Sequence, residues 1–93
     1  MMKIILNKCY GGYGVSEAAA KLYSKKSGKE VTEDDLDTDY RTDPILIEVV
    51  EELGDAANGD YAELRVVTIP DGMDYVIDEY DGIERLHQRV KYW

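Results

Sequence analysis

The spacing of apolar residues changes several times along the chain, and each change marks an element. Ile4-Ile5-Leu6 is a continuous apolar run, rich in β-branched residues and too short for an independent helix, so Lys3 to Lys8 is predicted to begin as a strand. Gly11, Gly12 and Gly14 then break regularity. Ser16 is a good N-cap, and Val15 before it is placed to staple against Ala20. Ala18 to Ala20 and Leu22 favour a helix, and Gly28 stops it after Lys25 and Lys26, which suit the negative end of the helix dipole.

A second helix is predicted from Asp43 as cap and Pro44 at the first helical position. Ile45, Leu46, Val49, Val50 and Leu53 recur at helical spacing on one face, Glu48, Glu51 and Glu52 cover the other, and Gly54 ends the run. After the turn Asp55 to Gly59, Ala62 to Ile69 reads as the clearest strand, broken by Pro70-Asp71-Gly72. Tyr75 to Tyr80 is a further strand. Asp81-Gly82 is a strong two-residue hairpin signal, and Ile83 to His87 returns. Ile83, Leu86 and Val90 also fit a helix.

The order is strand, helix, helix and a three-stranded antiparallel meander, a β-α-α-β-β-β arrangement of class α+β in one small domain over residues 1–93. Two helices cover one sheet face in this arrangement and leave the other partly bare, a candidate interface or homodimer surface. The basic, aromatic tail from Gln88 to Trp93 is expected to be loosely attached, docked or part of an interface.

Composition narrows the class. The apolar content of 44% supports a core and opposes wholesale disorder. No apolar run approaches the roughly 20 residues that cross a bilayer. Asn7 and Lys8 follow Ile4-Ile5-Leu6 at once, which is not a signal-peptide pattern. The single cysteine forms no internal disulfide and fits a reducing cytoplasm. Cys9 and His87 are the only conceivable nucleophile and base, and nothing in the sequence places them together, so a small buried thiol is the preferred reading. Eight tyrosines accompany one tryptophan and no phenylalanine, an amphipathic bias suited to interfaces or to a wet core edge.

The net charge of −9 is unevenly spread. Residues 1–29 hold six lysines and one glutamate, residues 30–84 hold nineteen acids and two arginines, and residues 85–93 hold three basic side chains. The acidic middle opposes direct nucleic-acid binding and suits a partner with a basic surface, or else serves as a solvated face that keeps the protein soluble.

Strand, glycine loop and helix start together can hold an anion on free backbone N–H groups, with Lys8 adding charge. The motif is incomplete: no Gly-Lys-Ser/Thr ending follows, and Glu17 stands where a dinucleotide fingerprint needs glycine. The preferred reading is conformational, with the glycines turning the chain while Tyr10 and Tyr13 pack on the sheet. Asp35, Asp37 and Asp39 match the opening of a calcium loop, but Tyr40 and Leu46 occupy its glycine and glutamate positions, so no metal site is predicted. Arg41 is the lone cation among eleven acids from Glu33 to Asp60, placed to bridge the acidic loop to a helix cap or to grip an anion.

Lys8-Cys9-Tyr10-Gly11-Gly12, Arg41-Thr42-Asp43-Pro44, Glu51-Glu52-Leu53-Gly54, Ala57-Asn58-Gly59 and Glu79 to Glu84 resemble a group of small uncharacterised proteins of tailed bacteriophages and prophages. The resemblance covers most of the chain up to Glu84. It implies context rather than chemistry: an accessory protein made in the bacterial cytoplasm, of a kind that often inhibits host or defence machinery. No catalytic residue carries over. The expected function is therefore non-catalytic binding to a host or defence protein, without cofactor or metal. Its candidate contact residues are Lys8, Tyr10, Gly11, Gly12, Tyr13, Gly14, Ser16, Arg41, Asp43, Tyr80 and Asp81. The alternative is a small anionic ligand, such as a nucleotide, at Gly11 to Gly14.

Overall fold

The computed structural model describes residues 2–88. Its elements are β1 (Met2–Asn7), α1 (Glu17–Ser27), α2 (Pro44–Leu53), β2 (Leu64–Ile69), β3 (Tyr75–Tyr80) and β4 (Ile83–Gln88), with short 3-10 turns at Glu33–Asp35, Thr38–Tyr40 and Gly54–Ala57. The α+β class and the element order follow the sequence expectation. The tail beyond Gln88 lies outside the described residues.

Both helices are fixed by the caps their sequences carry. Ser16 Oγ accepts the Ala19 N–H, and Gly28 closes α1 in the left-handed region, where its N–H donates to Ser24 O. Asp43 Oδ1 accepts from the N–H groups of Ile45 and Leu46 at the start of α2. Ala19, Ala20 and Tyr23 of α1 and Leu46, Ile47, Val49 and Val50 of α2 are buried against Ile5 and Leu64 of the first sheet. Lys26 ties the helices together from outside by pairing with Glu48 and Glu52, which raise its pKa.

The sheet departs from the expected three-stranded meander. β2 pairs antiparallel with β1, Ile5 opposite Val66 and Ile4 opposite Val67, while β3 and β4 form a separate hairpin with Ile77 opposite Leu86. The reason lies in β1. Ile5 faces the helices, but Met2, Ile4 and Leu6 face the other way, so the strand needs apolar cover on both sides. The hairpin has one apolar face, formed by Tyr75, Ile77 and Leu86. Stacking that face on Ile4, Leu6 and Ile69 removes the apolar second side of β1 and β2 from water. The molecule is thus three layers: helices, the β1–β2 sheet and the β3–β4 hairpin. The partly bare face expected on the main sheet is covered. The uncovered face belongs to the hairpin instead, where register places Val76, Asp78, Tyr80, Ile83, Arg85 and His87.

Asp81 and Gly82 turn the hairpin with φ of 50° and 93°, the two positive values a type I′ turn requires.

Candidate functional site

The glycine loop after β1 is a ridge gripped from two sides. A Cβ on Gly82 would stand 2.6 Å from the backbone nitrogens of both Gly11 and Gly12, and the Gly11 N–H donates to Asp81 O at 2.9 Å. On the opposite flank a Cβ on Gly11 would meet Tyr61 Cβ and Tyr61 O at 2.7 Å. Close backbone approach explains these glycines without a ligand. Gly14 O accepts the Gly59 N–H at 3.0 Å, and the Ser16 N–H donates to Ala57 O.

Beneath the ridge lies a buried polar knot. Arg41 forks Glu84, Nη1 to Oε1 at 2.9 Å and Nη2 to Oε2 at 2.8 Å, with both side chains largely enclosed. Glu84 Oε1 also accepts the Asn7 N–H, Arg41 Nη1 donates to Ile5 O, and Lys8 Nζ donates to Glu84 O. The Asn7 amide reaches Gly82 O and Cys9 O through Nδ2 and takes the Glu63 N–H on Oδ1. Burial pushes the Glu84 carboxyl up, but Arg41, the Asn7 backbone N–H and Lys8 more than offset it and hold it below its ordinary value. Arg41 lies over the Tyr13 ring, 5.0 Å from its centroid. The Tyr13 hydroxyl is buried without a hydrogen-bond partner among the described residues, and burial raises its pKa despite Arg41.

Two clefts flank the ridge. The first, about 390 Å³, is lined by Gly11 to Val15, by Glu33, Asp34, Leu36 and Asp37, and by Gly59 to Ala62. Glu33, Asp34, Asp37 and Asp60 are all exposed there, and none forms an ion pair among the described residues. The second, about 340 Å³, lies between Tyr10 and the outer hairpin face of Asp78, Tyr80, Ile83, Arg85 and His87, with Glu79 also lining it.

The candidate residues therefore separate. Lys8, Tyr13, Ser16, Arg41 and Asp43 are engaged in the fold: Asp43 caps α2 and accepts the Tyr23 hydroxyl at 2.9 Å, and Ser16 caps α1 while donating to Ala56 O. Gly11, Gly12, Gly14 and Asp81 build the ridge, and Tyr10 and Tyr80 stand at the surface. Arg41 bridges to Glu84 rather than to a helix cap. Cys9 Sγ donates to Tyr10 O and His87 Nε2 meets Asp78 Oδ2, so each has a partner other than the other. Asp35 accepts from Thr32, and Asp37 from the Asp39 N–H. Among the described residues no group of three or more His, Cys, Asp or Glu side chains is placed to hold a metal ion, and no helix is long and apolar enough to cross a membrane.

Sequence reasoning missed Tyr61, Asp60, Asn7 and Glu84. Glu84 did leave a trace: in a period-2 strand it shares a face with Leu86, and an acid on an apolar face demands a buried cation. Much of the acidic middle is also occupied. Glu51 pairs with Lys3, Glu63 and Asp55 pair with Arg65, and Glu79 accepts the Gly82 N–H. The cleft carboxylates remain as the concentrated negative surface, and they oppose an anion at the glycine loop. Comparison with protein-family models, curated proteins and solved structures finds no match.

Proposed function

We propose that this chain is a non-catalytic binding protein that docks on a basic surface of a host or defence protein and modulates it. The context is a tailed bacteriophage or prophage, acting in the bacterial cytoplasm. The phage context rests on the motif resemblance alone. The binding reading is supported chiefly by one observation: Glu33, Asp34, Asp37 and Asp60 converge on one cleft beside the glycine ridge, with no cation of the chain opposite them among the described residues. Concentrated negative potential of this kind speeds encounter with a basic surface and fixes its register.

The test is capture of host proteins from bacterial lysate at rising salt. The comparison is with a variant carrying Glu33→Gln, Asp34→Asn and Asp60→Asn. A captured protein that is released above about 0.15 M salt, and is not retained by the variant, is the expected result. An empty capture at low salt, or equal capture by the variant, overturns the reading.

A further inference from the structure

Tyr10, Tyr61 and Tyr80 are the most exposed large apolar side chains described, at 67%, 76% and 75%. All three gather at the glycine ridge. Tyr10 precedes it, the Tyr61 backbone and Cβ press on Gly11, and Tyr80 precedes Asp81, whose carbonyl takes the Gly11 N–H. Tyr61 borders the first cleft, and Tyr10 and Tyr80 border the second. Exposed aromatics grouped on one surface, rimmed by charge, are the composition of a contact face.

Resting on the function proposed above, we infer that this end of the molecule docks a basic protein segment that presents arginine rather than lysine. The carboxylates call for a cation, and the exposed rings select which one. A guanidinium is planar and weakly hydrated, so it can lie on a tyrosine face while its fork pairs with a carboxylate. An ammonium is a strongly hydrated point charge that gains little from the ring. The fold already holds one arginine this way, since Arg41 lies over Tyr13 while it forks Glu84. Phosphate-bearing partners are repelled by the same carboxylates.

Oligo-arginine and oligo-lysine peptides of equal length test this by calorimetric titration of the full chain at about 0.1 M salt, where the Debye length is about 10 Å. The arginine peptide should bind about tenfold tighter. A Tyr61→Ser, Tyr80→Ser variant, its fold checked by circular dichroism, should bring the two affinities to within about twofold by weakening the arginine peptide alone. A Tyr10→Ser variant should act in the same direction. Equal affinities for the intact chain, or a preference untouched by the tyrosine variants, overturns the arginine inference and leaves the basic-partner reading standing. Failure of both peptides to bind overturns both.

Discussion

Arg41 and Glu84, separated by 43 positions, meet along the edge of β1 where a neighbouring strand would otherwise stand. Arg41 serves the carbonyl of Ile5 with its guanidinium and the N–H of Ile5 with its own backbone oxygen, while Glu84 takes the N–H of Asn7. An ion pair thus satisfies a strand edge and fastens the hairpin to it. Arg41→Met should cost about 3–5 kcal/mol, because it leaves a buried carboxylate without its cation. The double variant Arg41→Met, Glu84→Leu should lose clearly less than the sum of its single changes. Urea unfolding of all three variants measures this, and additive losses would contradict it.

Gly82 and Gly14 give contrasting expectations. Gly82→Ala places a methyl against the Gly11 and Gly12 nitrogens at a φ of 93°, so a loss of about 2–3 kcal/mol or more is expected. A methyl at Gly14 meets nothing within 4 Å, and its φ is not in the left-handed region. Gly14→Ala should stay within about 0.5 kcal/mol of the parent in thermal unfolding.

The local part of this fold was legible and the non-local part was not. Ser16, Gly28, Asp43-Pro44 and Asp81-Gly82 announced their caps and turns because each acts within a few residues. Strand pairing was missed because it depends on β1 being apolar on both faces, which a meander of the last three strands leaves out of account. Arg41 stood out as the lone cation of an acidic stretch, but its partner lies beyond that stretch, on β4. The glycines were readable as turn formers. What presses on them, Tyr61 and Gly82, comes from two other segments that no local pattern links to residue 11.

Stability should fall at both ends of the pH scale. The Glu84 pKa is held below its unfolded value, so its contribution is present above about pH 4.5 and is lost as pH drops through the folded value. Tyr23 behaves in the opposite sense. Burial, with the Asp43 hydrogen bond next, pushes it up to about 12 from 10.0, so its contribution is intact below pH 10 and disappears as pH rises toward 12. Tyr23→Phe should flatten the alkaline limb of a melting-temperature profile and leave the acid limb unchanged. An unaltered alkaline limb would contradict the assignment.

Asn7 closes four backbone contacts from the end of β1, to Cys9 N and O, to Gly82 O and to Glu63 N. Asn7→Ala orphans the buried ones, and each should cost about 1–3 kcal/mol. Amide hydrogen exchange should quicken first at Glu63 and at the Asp81-Gly82 turn. Acceleration confined to α2 would place the damage elsewhere.

The most direct test of the docking surface is an amide chemical-shift titration of the isotope-labelled protein with an oligo-lysine peptide, which reads charge without aromatic preference. Shifts concentrated at Gly11, Gly12, Asp34, Asp60 and Tyr61 are the expected result. Shifts spread evenly over the molecule, or centred on Glu48, Glu51 and Glu52 of α2, would contradict the assignment of the glycine ridge and its flanking clefts as the contact face.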